Sequence, residues 1–93
     1  MTYVDDIKAR LAERIPGQPP ALLDLYALLA LSQGVNTSLA HVHDAWALWR
    51  SRTHSSHPSI LPFDELTADV QALDEPYAAA IRDAAASMLA SQP

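Results

Sequence analysis

His43-Asp44-Ala45-Trp46-Ala47-Leu48-Trp49, then His57-Pro58-Ser59-Ile60-Leu61-Pro62-Phe63-Asp64-Glu65-Leu66, and finally Asp74 form the stretch that decides the fold. Leu39, Val42, Trp46 and Trp49 recur at spacings of three, four and three, which puts them on one stripe of a helix. His43 follows Leu39 by one turn and stands at the edge of that stripe beside Trp46, whereas His41 points about 200° away around the helix. Pro58 drives His57 toward extended backbone, and Pro62 does the same to Leu61 while opening a short helical turn through Leu66. Costly aromatic and imidazole side chains held between two rigid corners predict either the organising core or a recognition surface.

Helical signals continue on both sides. Thr2, three residues before Asp5, has the spacing of a capping box, and Val4, Ile7, Leu11 and Ile15 form an apolar face until Pro16-Gly17 stops the run. Pro19-Pro20 sets the start of a second helix, where Leu22, Leu23, Leu25, Tyr26, Leu28, Leu29 and Leu31 cover most of the circumference. That helix is expected to be central, with Gly34 as its stop. Thr37 is the expected N-cap of a third helix running to about Arg52, and Thr53 to Ser59 is a polar loop. Thr67 caps a short helix through Leu73, with Leu66, Val70, Leu73 and Tyr77 on one apolar line. Asp74 or Glu75 is expected to cap the last helix, Asp74 by accepting the Tyr77 N–H, with Tyr77, Ile81, Ala84, Ala85, Met88 and Leu89 facing inward.

The expected fold is therefore all-α, a compact single-domain bundle of about four to five helices over residues 1–93. It divides into an N-terminal helical pair (1–35) and the motif region (36–90), with a proline-rich loop between the third helix and the short C-terminal helices.

Composition narrows the function. A net charge of −5 and six scattered Lys and Arg residues oppose a protein that neutralises nucleic-acid phosphates. The absence of cysteine excludes thiol chemistry and fits a cytoplasmic location. No basic N-terminal region precedes an apolar run, so no secretory leader is expected. The leucine run from Ala21 to Leu31 is broken by Asp24 and falls short of the roughly 18 residues a bilayer requires. One core in a chain this short gives modest stability, for which homodimerisation would compensate.

Catalysis and metal binding find little support. His41 and His43 diverge, and His54 and His57 sit on a loop without a placed carboxylate cluster, so no metal site or other cofactor is expected. Ser55, Ser56, His57 and Asp64 supply triad residue types, but no sharp nucleophile turn presents a serine. The remaining chemical signal is the pair of indoles, Trp46 and Trp49. Either they are core, or they stack on a flat ring with Arg50 and Arg52 holding an anionic group.

The order His43-Asp44-x-Trp46, His57-Pro58-x-Ile60-Leu61-Pro62-Phe63-x-x-Leu66 and Asp74 resembles the ryanodine-receptor repeat (RyR) domain, including its bacterial and phage versions. That family reads roughly His-Glu-x-Trp, a glycine-rich tip, His-Pro-x-Leu-Val-Pro-Tyr-x-x-Leu and a later Asp. The likeness covers about a third of the chain, and the long tip is reduced here to the loop from Ser51 to Ser56. As a whole the chain also resembles a group of small proteins of high-GC bacteria and their phages. These resemblances imply a helical fold without enzyme activity, acting through protein contacts or by binding nucleotide-like small molecules. They also imply that Pro58, Pro62, Phe63, Leu66 and Asp74 are structural members of the motif.

Two functions are thus expected in competition. The leading one is a non-enzymatic protein-interaction or adaptor module, a phage or prophage accessory protein acting on a host protein, marked by an exposed apolar patch. The alternative is a sensor of a nucleotide-derived ligand using His43, Trp46, Trp49, Arg50 and His57, marked by a concave pocket between the third helix and the loop after it. A metal-dependent hydrolase built on the histidines is a third reading, and it requires bound zinc.

Overall fold

A computed structural model describes residues 2–91 as an all-α bundle. Its helices are α1 (Tyr3–Arg14), α2 (Pro20–Ser32), α3 (Leu39–Ser51), α4 (Ala68–Ala72) and α5 (Glu75–Ala90), with 3₁₀ turns at Gly34–Asn36 and Phe63–Glu65. No strand occurs among the described residues, and no helix there is long and apolar enough to cross a membrane.

Each helix starts where local chemistry satisfies its free N–H groups. Thr2 and Asp5 form the reciprocal capping box of α1. Pro20 opens α2, where a missing N–H loses no partner. The third helix corrects the expected cap: Ser38, not Thr37, accepts the His41 N–H at 3.2 Å, and His41 Nδ1 accepts the Ser38 N–H at 3.0 Å. Thr37 is buried, and its hydroxyl donates to the Gly34 carbonyl at 2.8 Å, closing the turn ahead of the helix. Asp74 also departs from expectation. It precedes α5 with helical backbone angles and makes no side-chain cap, because its carboxyl turns toward His43.

Ile7 and Leu11 of α1, Leu22 and Tyr26 of α2, Val42 of α3 and Ile81 of α5 fill the core. Ala27, Ala30, Ala78, Ala84 and Ala85 are buried around them, which lets the helix backbones approach closely. As expected, α2 is central: it packs on α1, α3 and α5. The last helix returns to lie against α1 and the Gly34–Asn36 turn. Arg10 fastens that contact, reaching from Asp6 at 2.8 Å to the hydroxyls of Ser87 at 2.9 Å and Ser91 at 3.2 Å.

Several leucines expected inside lie outside. Leu73 is 68% exposed and leaves the apolar line drawn through Val70 and Tyr77, because α4 is a single short turn that directs only part of itself inward. Leu28, Leu31 and Leu89 are likewise exposed. A three-layer contact around α2 leaves one side of that helix without a neighbour, so apolar content all round does not bury it all round.

Candidate functional site

The site grows from one buried imidazole. His43 is 3% exposed, held on α3 one turn from Leu39 and packed beside Trp46 with ring centroids 5.8 Å apart. Two turns at the prolines, with the Ile60 N–H donating to the His57 carbonyl and the Glu65 N–H to the Pro62 carbonyl, fold the loop back across α3. This brings the Leu61 carbonyl within 2.6 Å of His43 Nε2. A carbonyl only accepts, so Nε2 carries a hydrogen and donates it.

The opposite ring nitrogen, Nδ1, faces an Asp74 carboxylate oxygen at 4.0 Å, beyond hydrogen-bonding distance. Burial raises the Asp74 carboxyl above its ordinary 3.8, a shift that a charged imidazole at His43 would partly offset. Phe63 covers the same imidazole at 6.1 Å. Gln71 of α4 donates to the Phe63 carbonyl at 2.9 Å, tying the 3₁₀ turn to α4.

His57 completes the cluster. Its ring meets Trp46 edge-on at 5.1 Å, and its Nδ1 accepts the Ser59 N–H at 3.1 Å, which fixes the loop just past Pro58. Between these groups lies a cavity of about 220 Å³. His43, Trp46 and Asp74 line one side of it, His57 and Ser59 the loop side, and Val70 and Leu73 the α4 side.

The five candidate residues therefore divide. His43, Trp46 and His57 come together around the cavity. Both indoles pack against the core, but Trp49 does not line the cavity, and the Arg50 guanidinium lies over the Trp49 ring, 5.7 Å from its centroid. Arg52 is exposed at the end of α3. Of the motif residues, Phe63 and Leu66 are partly buried, and Pro58 and Pro62 are exposed corners. Among the described residues no three of His, Asp and Glu are gathered as metal ligands.

A second concave feature lies at the other end of α5. Tyr3 and Ile7 of α1, Ala30 and Leu31 of α2, Val35, and Met88 and Leu89 of α5 line an open, largely apolar groove of about 510 Å³. Tyr3, Leu31, Val35 and Leu89 are between 39% and 64% exposed along it. The apolar patterns of α2 and α5 predict Leu31 and Leu89 inside the core. The signal for the groove was present in the leucine surplus of α2, which exceeds what one buried face needs.

A family model described as "Domain of unknown function (DUF7701)" matches residues 2–86, and the chain belongs to that family. No curated protein and no solved structure matches it.

Proposed function

We propose that this member of the DUF7701 family is a non-enzymatic protein-interaction module, which takes an apolar helical segment of another protein into the groove between α1, α2 and α5. The observation that carries this reading is the row of exposed large apolar side chains, Tyr3, Leu31, Val35 and Leu89, along one open groove. Large apolar patches on small proteins commonly mark contact surfaces, and a groove between helices suits the apolar face of a further helix. The groove lining carries no charged residue of either sign, so only the chain's net charge of −5 favours basic flanks on the bound helix.

The RyR-like order of the His43 to Asp74 motif supports binding rather than catalysis. The chain-wide likeness to small proteins of high-GC bacteria and their phages supports a host protein as partner. The lack of cysteine supports a cytoplasmic setting.

Affinity capture of the tagged chain from its native host, run beside Val35→Asp and Leu89→Glu, tests the reading. A stoichiometric protein recovered by the wild type and lost from both variants, and carrying a basic amphipathic helix, is the expected result. A partner retained by both variants contradicts it. A wild-type dimer split by the same substitutions would assign the groove to a second copy instead.

A small-ligand reading also has a specific observation behind it, the cavity between α3, the loop and α4. Its nucleotide form relies on Arg50 for a phosphate, and Arg50 lies on Trp49 away from the cavity. Thermal shift with nucleotides at millimolar concentration tests that form, which fails if no stabilisation appears.

A further inference from the structure

We infer that the cavity beside His43 binds a protonated alkylamine, with the ammonium between His43 and Asp74 and the alkyl stem against Val70 and Leu73. The inference rests on the small-ligand reading of this cavity and replaces an anionic ligand with a cationic one.

Two acceptors confront each other across the cavity. His43 commits its Nε2 hydrogen to Leu61, so in the neutral ring Nδ1 offers only a lone pair. It faces the Asp74 carboxylate at 4.0 Å, and no hydrogen bond reaches the Asp74 side chain from any described residue. Neither atom is sealed off, since no side-chain N or O among the described residues is both buried and without a hydrogen-bond partner, so both are open to a donor that enters the cavity. A nitrogen placed about 2.9 Å from both atoms would see them at roughly 90°, close enough to the tetrahedral spread of an ammonium for it to donate to both.

The walls select the same chemistry. No Lys or Arg lines the cavity, and Asp74 is its one acidic residue. Trp46 supplies an aromatic wall of the kind that attracts cations, while Val70 and Leu73 form an apolar side for a hydrocarbon stem. A volume of about 220 Å³ suits a short alkyl chain. His57 adds no competing cation in its neutral form, and its Nδ1 is already occupied by the Ser59 N–H. The same ammonium chemistry is offered by a free amine or by a lysine side chain of another protein.

Titration of the full chain with n-butylammonium, followed by amide resonances in ¹H–¹⁵N NMR, tests the inference. Saturable shifts at His43, Ser59 and Val70, at least tenfold weaker with neutral 1-pentanol, are expected. Asp74→Asn should weaken binding at least tenfold, while Asp83→Asn on the exposed side of α5 should not change it. Leu73→Lys, a surface change that brings a competing ammonium to the cavity, should also weaken it and covers the case in which Asp74→Asn alters the fold. Nα-acetyl-lysine amide, which keeps its side-chain ammonium, binding as well as n-butylammonium would identify a protein side chain as the source, and binding of the simple amine alone would identify a free amine. Equal binding of amine and alcohol overturns the inference. So does adenosine monophosphate binding in place of the amine, which would leave the small-ligand reading standing, whereas silence from every probe removes both.

Discussion

His43 joins three parts of the chain that are far apart in sequence, and its removal should be felt accordingly. His43→Ala would leave the Leu61 carbonyl without its donor and open a void against Trp46 and Phe63. Loss of a buried hydrogen bond together with a core cavity costs about 2–4 kcal/mol, which urea unfolding would register as a lower midpoint at unchanged slope. Asp74 gives a second prediction with a definite sign. Burial raises its folded pKa above the ordinary 3.8, so the folded state holds the proton more tightly than the unfolded chain. The resulting stability is present below pH 3.8 and is lost as pH rises through the folded pKa. Asp74→Asn should abolish that decline in unfolding midpoints measured between about pH 3 and 7. The place of His43 at the edge of an apolar stripe was legible from its spacing to Leu39 and Trp46. The role of Asp74 was not, because an acid just before a Pro-containing first turn has the same sequence signature whether it caps the helix or turns away to a histidine.

At the scale of elements, a helix start is legible where one cap-forming residue stands alone and ambiguous where two compete. Thr2, Pro20 and Thr67 had no rival and lie where expected. Thr37 and Ser38 both carry a cap-forming hydroxyl, and the choice fell to the tight turn before them, which needs Thr37 to hold the Gly34 carbonyl. Ser38→Ala should therefore cost about 1 kcal/mol, the usual loss for such a cap, and Thr37→Ser should cost less because it keeps the hydroxyl. Gly34 adopts φ +58° with open space where a Cβ would project. Gly34→Ala should destabilise by about 1–2 kcal/mol through backbone strain alone, visible as a thermal midpoint lowered without loss of helix signal at low temperature. The proline corners were legible in their own right. Their partner across space was not, since nothing in the spacing of Pro58 and Pro62 says that Leu61 will meet His43.

The whole molecule shows a core held by alanines beside a groove left by leucines. Ala84 is fully buried on α5, so Ala84→Leu should wedge the bundle apart and cost about 1–3 kcal/mol. Leu89→Gln, by contrast, should leave the unfolding midpoint nearly unchanged, because Leu89 is already largely in solvent. That pair of results would place the cost of folding on the alanines and leave the groove leucines free for the proposed contact. The all-α class followed from helical periodicity alone, but the groove was hidden because a helix apolar all round reads as buried until its neighbours are counted in three dimensions. α5 reaches both features, with Asp74 at one end and Leu89 at the other.

A photo-crosslinking amino acid placed at Val35 in the full chain, irradiated in the native host, tests the interaction role most directly. The interaction role predicts one dominant adduct, mapping to an apolar helical segment of another protein and absent when the same probe replaces exposed Asp83, which lies on α5 outside the groove. An adduct only with a second copy of this chain, or none above the Asp83 background, would contradict it.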